Sequence, residues 1–162
     1  MRYELIMWWM AFLKIIPGKI GCTIRNIGIP YKNGANVKVW NGVQIDSPAK
    51  LTIGKNVSIN RNCILHAGGS IEIGNDVLIG PNVVIYSQNH NFKEQNILIR
   101  KQGYTVKKVS IGNNVWLASN TMVLPGVSIC SNVVIGAQSL VSKSIEKPGV
   151  YAGNPLRFIK DI

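Results

Sequence analysis

The stretch IEIGNDVLIGPNVVI, Ile71 to Ile85, sets an aliphatic side chain at 73, 79 and 85 and a valine at 77 and 83. The same step of six runs through Ile53, Ile59, Leu65 and Ile71, slips by two residues to Ile73, and breaks off after Ile85. It resumes at Ile111, Leu117, Val123, Ile129, Ile135 and Val141. A second buried-type residue sits four positions after many of these, as at Val57, Cys63, Val115, Thr121, Val127 and Val133. A period of six is neither the helical 3.6 nor the strand alternation of two. A short strand, a turn in which glycine or asparagine tolerates positive φ, and another short strand fit it.

Three such hexads make one triangular coil, so Ile53, Ile73, Ile111 and Ile129 stack in one inner row. Successive coils then pair as parallel strands ~4.8 Å apart, and a prism with an aliphatic interior grows. An earlier, less regular coil runs through Val39, Ile45 and Leu51. The expected class is all-β.

These residues resemble the hexapeptide-repeat acyltransferases. The likeness is narrower to the branch holding the galactoside and maltose O-acetyltransferases and the acetyltransferases of bacterial surface polysaccharides. It covers roughly Val37 to Ile162, and its most specific strings are NRNCILHAGGSIEIGNDVLIGPNVVIYSQNHNF, VSIGNNVWLASNTMVLPGVSI, VVIGAQSLVSKSI and VYAGNPLRFIKDI. The resemblance implies a left-handed parallel β-helix with an excursion loop near 91–110 and a short C-terminal tail, and the chain's own apolar run adds a short N-terminal helix in place of the helical region that the galactoside and maltose enzymes carry. Residues 1–32 then form an apolar, basic N-terminal segment and 33–162 the acyltransferase domain with its tail.

VVIYSQNHNF, Val83 to Phe92, begins as an aliphatic strand and ends on Asn-His-Asn before some twenty polar, basic residues. A histidine where the chain leaves the coil suits the removal of a proton from a sugar hydroxyl near neutral pH. The resemblance gives His90 this role, with direct attack on acetyl-CoA. His66 follows the inward Leu65, points out of the coil and is read as a surface or interface histidine. Asn60 aligns with an asparagine that orients the acceptor; the alternative is a corner asparagine in a left-handed turn. The resemblance also makes the Ser119 amide the oxyanion donor and sets Trp116 beside the acceptor. Coenzyme A is assigned to the main chain around Ala118, Ser119 and Ala137, with Ser142, Lys143, Arg157 and Lys160 toward its nucleotide end. Relatives acting on galactosides or maltose carry two acidic residues where this chain has Ala67-Gly68. The protruding loop after His90 implies a homotrimer whose loop closes over a neighbour's site, in keeping with the three long faces of a prism.

The chain has 162 residues, 46% of them hydrophobic, enough for one domain with a substantial core. Lys plus Arg number 18 against 7 acids, a net charge of +11, which favours anionic partners. Cys22, Cys63 and Cys130 show neither zinc spacing nor a CxxC pair, so free thiols in a cytoplasmic setting and no metal are expected. A phosphate-cradling GxGxxG or Walker loop is missing, and the basic residues lack interleaved aromatics, so ATP, NAD and nucleic acid are unsupported.

LIMWWMAFLKII, Leu5 to Ile16, is too short to span a bilayer. It reads either as a helix capping the core or as a helix lying on the inner face of the membrane. In the second reading Arg2, Lys14, Lys19 and Arg25 face lipid phosphates. The function expected is acetyl transfer from acetyl-CoA to a sugar hydroxyl of a surface polysaccharide or its precursor. Transfer to the amine of a nucleotide sugar, transfer to a streptogramin-type antibiotic, and a non-catalytic scaffold are the alternatives.

Overall fold

The computed structural model describes residues 2–162, apart from the side chains of Arg2, Tyr3, Ile6 and Met7. Two α-helices, α1 (Arg2–Ile15) and α2 (Gly18–Gly28), precede a β-helix. Its first face stacks Lys32–Asn33, Leu51–Ile53, Ile71–Ile73, Val109–Ile111 and Ser128–Ile129 in parallel. The second face runs from Lys38–Val39 through Ser58–Ile59, Leu78–Ile79, Val115–Leu117 and Val133–Ile135 to Gly149–Ala152, and Arg157–Lys160 returns antiparallel along its end. The third face stacks Gln44–Asp46, Ile64–His66, Val84–Tyr86, Met122–Val123 and Leu140–Val141.

The register matches the hexad reading. Ile53 pairs with Ile73, Ile73 with Ile111 and Ile111 with Ile129, and all four are buried. The early coil through Val39, Ile45 and Leu51 is also formed. The two-residue slip is a larger corner between the third and first faces, where Ala67 to Ser70 make the turn.

Glycine and asparagine divide the corner work differently from expectation. The positive φ falls on Asn56, Asn62, Asp76, Asn82, Asn114, Asn120 and Asn132, each placed just before an inward residue. The glycines of the IG pairs are needed because coils approach closely there: a Cβ on Gly74 would lie 2.7 Å from the carbonyl oxygen of Gly112. Asn60 is not among the positive-φ residues, so the corner-turn explanation of its presence fails.

The N-terminal segment forms two helices broken at Ile16-Pro17, where the sequence suggested one. α1 buries Leu13 against the core, and the Gly42 N–H caps it by donating to Lys14 O at 2.7 Å. Arg25, expected at a lipid surface, is instead fully buried. Its Nη1 donates to Leu13 O and Ile16 O, both at 2.8 Å, and its Nε to Val39 O at 2.7 Å. The last turn of a helix leaves carbonyls unpaired and carries partial negative charge, which a guanidinium fork satisfies. Lys14 and Lys19 do reach the surface; the expectation for Arg2 concerns a side chain outside the described residues. Among the described residues no helix is long and apolar enough to cross a membrane.

Candidate active site

His90 ends the strand Gln88–His90, which leaves the prism at the corner between the third and first faces. This strand pairs antiparallel with Tyr104–Val106, so His90 stands opposite Tyr104, and their rings lie 4.4 Å apart at a tilt of 42°. The excursion is therefore a hairpin with internal order. Its root is pinned by the buried Ser87, whose Oγ donates to His66 O at 2.8 Å and accepts the Gly69 N–H at 2.9 Å. Its tip is tied by Gln102, whose Nε2 donates to Glu94 O at 2.8 Å and to Ile97 O at 2.7 Å. Neither Tyr104 nor Gln102 carries a sequence signal, because only the register of the hairpin gives them their partners.

Two open cavities meet at His90. One, of about 740 Å³, lies between hairpin and coil and is lined by His90, Phe92, Lys93, Lys101, Lys107 and Ser142 among others. The other, of about 390 Å³, is walled by His66, Tyr86, Gln88, His90, Tyr104 and Pro125 among others. His66 thus points out of the coil, as read from the sequence, but into a space it shares with His90.

The remaining expected residues gather elsewhere. Asn60, Gly80, Ala118 and Gly136 stack at the corner between the second and third faces, each donating its N–H to the strand of the next coil. Ser119 and Ala137 follow in this column, and among the described residues their N–H groups have no hydrogen-bond partner. The corner between the first and second faces shows the contrast. There Lys55 N is capped by Asn75 Oδ1, Asn75 N by Asn113 Oδ1, and Asn113 N by Ser131 Oγ, at 2.8 to 2.9 Å. Ser119 is half-buried and Ala137 exposed, so their N–H groups face solvent and stand as two donors in one column open to a bound acceptor. Arg157 pairs with Ala152, which packs over Gly136, so it extends the same column. Lys160 lies further along its strand, opposite Val150.

Trp116 sits on the outer surface of the second face, 49% exposed, next to Leu78 at 54%. Ser142 and Lys143 lie at His90's corner; both line a third cavity of about 410 Å³ with Lys147 and Phe158. The expected site residues therefore occupy two different corners of one prism, and within one chain His90 does not meet Asn60, Trp116 or Ser119.

At Ala67-Gly68, where the relatives' acidic residues are missing, the space is taken by neighbouring groups. The side chain of Gln88 fills the space that a Cβ on Gly68 would need, and the backbone of Ser87 and Lys107 closes over Gly69. Ala67 is fully buried. An acidic side chain at 68 would have to displace Gln88. Among the described residues no cluster of His, Cys, Asp or Glu could hold a metal ion.

Residues 108–143 match the family described as bacterial transferase hexapeptide (six repeats), and 50–87 match the hexapeptide repeat of succinyl-transferase. The galactoside O-acetyltransferase of Escherichia coli K12 is 37% identical over 130 residues, covering 80% of this chain and 63% of that protein. The chain thus spans under two thirds of that relative's length. A protein of the same organism named as a lipopolysaccharide biosynthesis O-acetyl transferase, WbbJ, is 36% identical over 148 residues, covering 86% of this chain and 75% of its own. Among solved structures, a galactoside acetyltransferase in complex with coenzyme A superposes with a TM-score of 0.84 at 32% identity, over 99% of this chain and 78% of that one. A maltose O-acetyltransferase from Clostridium difficile 630 gives 0.77 at 30% identity, over 98% and 89%.

Proposed function

The chain belongs to the hexapeptide-repeat acetyltransferases, and from that premise we propose that it transfers acetyl from acetyl-CoA to a sugar hydroxyl of a bacterial surface polysaccharide or its precursor. The observation that carries the reading is the pair of unpaired N–H groups at Ser119 and Ala137, in a column that Arg157 extends. A row of backbone donors ending at a guanidinium suits the amide-bearing arm and phosphates of coenzyme A. The complex of coenzyme A with a relative 32% identical supports the same ligand.

In this reading His90 takes the proton from the acceptor hydroxyl as its oxygen attacks the thioester carbonyl carbon. The Ser119 N–H holds the oxyanion of the tetrahedral intermediate, a charge that develops only after attack. Collapse breaks the C–S bond, and His90 returns the proton to the leaving thiolate. Asn60 and Trp116 flank the acceptor; Ala118, Ser119 and Ala137 line the pantetheine arm; Ser142, Lys143, Arg157 and Lys160 surround the nucleotide.

One chain holds these groups at two corners, so the site is complete only where the second-to-third corner of one copy meets the third-to-first corner of another. A homotrimer makes three such junctions, and the exposed Trp116 and Leu78 give the second face an apolar surface for that contact. A cytoplasmic enzyme whose α1 rests on the membrane's inner face would reach a lipid-linked acceptor.

The test is calorimetric titration with acetyl-CoA, followed by assay of thiol release with glycan acceptors. Binding near one per chain is expected, weakened by Arg157→Ala. His90→Ala should leave binding intact and lower turnover by about 10²–10⁴. A folded protein that ignores acetyl-CoA would overturn the reading.

A further inference from the structure

We propose that His66 is an acceptor-binding residue that holds a hydroxyl group of a neutral pyranose in the cavity it shares with His90. The assignment rests on the acetyltransferase reading above and deepens it at one side chain.

His66 lies on the outer surface of the third face, in register between Asp46 and Tyr86. Its ring packs on that of Tyr86, with centroids 5.7 Å apart. Nδ1 is buried and, alone among buried side-chain nitrogens and oxygens of the described residues, has no hydrogen-bond partner. In the neutral ring the proton therefore belongs on Nε2, since an N–H at Nδ1 would be buried without an acceptor. The ring rests at a tilt of 40° against Tyr86, and Nε2 is the nitrogen left to serve the cavity as a donor.

The other walls say what the donor meets. Tyr86 and Tyr104 offer aromatic surface, Gln88 and Asn89 offer amides, and Leu124 and Pro125 close the apolar side. Neither lysine, arginine nor carboxylate lines this space, whereas the neighbouring cavity holds Lys93, Lys101 and Lys107. Aromatic and amide walls suit the C–H faces and hydroxyls of an uncharged sugar ring. With glycine at 68 and Gln88 filling the space beside it, this position offers the cavity no carboxylate, and His66, two residues earlier, supplies the polar contact from the same turn. Because His66 and His90 line one cavity, the hydroxyl held by His66 and the one deprotonated by His90 belong to the same ring.

The experiment is steady-state kinetics with acetyl-CoA as donor and methyl glucoside, methyl galactoside and methyl glucuronide as acceptors. The neutral glycosides should be preferred. His66→Val should raise the KM for the glycoside about tenfold or more, the loss of one well-made hydrogen bond, with the KM for acetyl-CoA within about twofold. His66→Gln, which keeps an N–H donor, should recover part of the loss. An unchanged glycoside KM in His66→Val, a preference for the glucuronide, or no glycoside accepted by an enzyme that binds acetyl-CoA would each overturn the assignment. A protein that fails to bind acetyl-CoA at all would remove the transferase reading, and this assignment with it.

Discussion

Arg25 donates its Nε–H to the carbonyl oxygen of Val39 at 2.7 Å, joining α2 to the first strand of the second face. Through Nη1 the same side chain satisfies two carbonyls at the end of α1. One guanidinium thus holds both helices on the open end of the prism, where the aliphatic rows would otherwise meet water.

Arg25→Met keeps the apolar stem and strands three carbonyls. A loss of about 2–4 kcal/mol is expected, because buried unpaired groups retain their desolvation cost. Thermal unfolding should show it as a fall of roughly 5–15 °C. A variant that melts within a degree of wild type would show that the hydrogen bonds add nothing net.

Ser119→Pro removes the proposed oxyanion donor without demanding a new backbone. Pro81 stands at the equivalent place one coil earlier, where Asn120 N donates to its carbonyl at 3.0 Å. The variant should fold normally and lose about 10²–10³ in kcat. Mixed with His90→Ala, it should regain part of the activity, because hybrids of the proposed trimer would contain junctions with His90 from one copy and Ser119 from the next. If the mixture is as inactive as its parts, the two residues do not act across a junction.

The Cys63 thiol donates to Gly80 O at 3.1 Å, and burial pushes its pKa up to about 11, only partly opposed by hydrogen bonds from Val83 and Asn82. Burial also raises Tyr31, against the lowering effect of Arg25. The folded chain then holds a proton that the unfolded chain releases from about pH 9. This contribution to stability is complete below pH 9 and drains as pH rises toward 11, about 2–3 kcal/mol for the thiol. Tm measured from pH 7 to 11 should fall above pH 9, and less steeply in Cys63→Val. Equal slopes would mean the thiol does not govern the alkaline limit.

α1 exposes Trp8, at 77%, with Trp9, Phe12 and Ile15, while Lys14 and Lys19 reach the surface nearby. Sedimentation with vesicles containing phosphatidylglycerol should carry the protein down. Trp8→Ser with Phe12→Ser should reduce this at least about fivefold, since apolar burial and anionic attraction act together. Undiminished binding by the double variant would place the contact elsewhere.

Much of the molecule was legible in its sequence. The six-residue period determined the β-helix, because an inward row needs one branched aliphatic side chain per strand, and that demand repeats in the chain itself. It also determined that His90 leaves the coil and that a hairpin-length excursion follows. Which corner each site residue occupies was not legible, because corners are built from neighbours a full coil apart. Only the stacked coils show that Asn60, Ser119 and Ala137 share one edge while His90 stands at another. The burial of Arg25 was hidden for the same reason: its partners are carbonyls at the end of a different helix, groups that every sequence has and none announces. His66 looked idle because the period placed it outward, and only the hairpin, whose Gln88, His90 and Tyr104 line the same cavity, brings it together with His90.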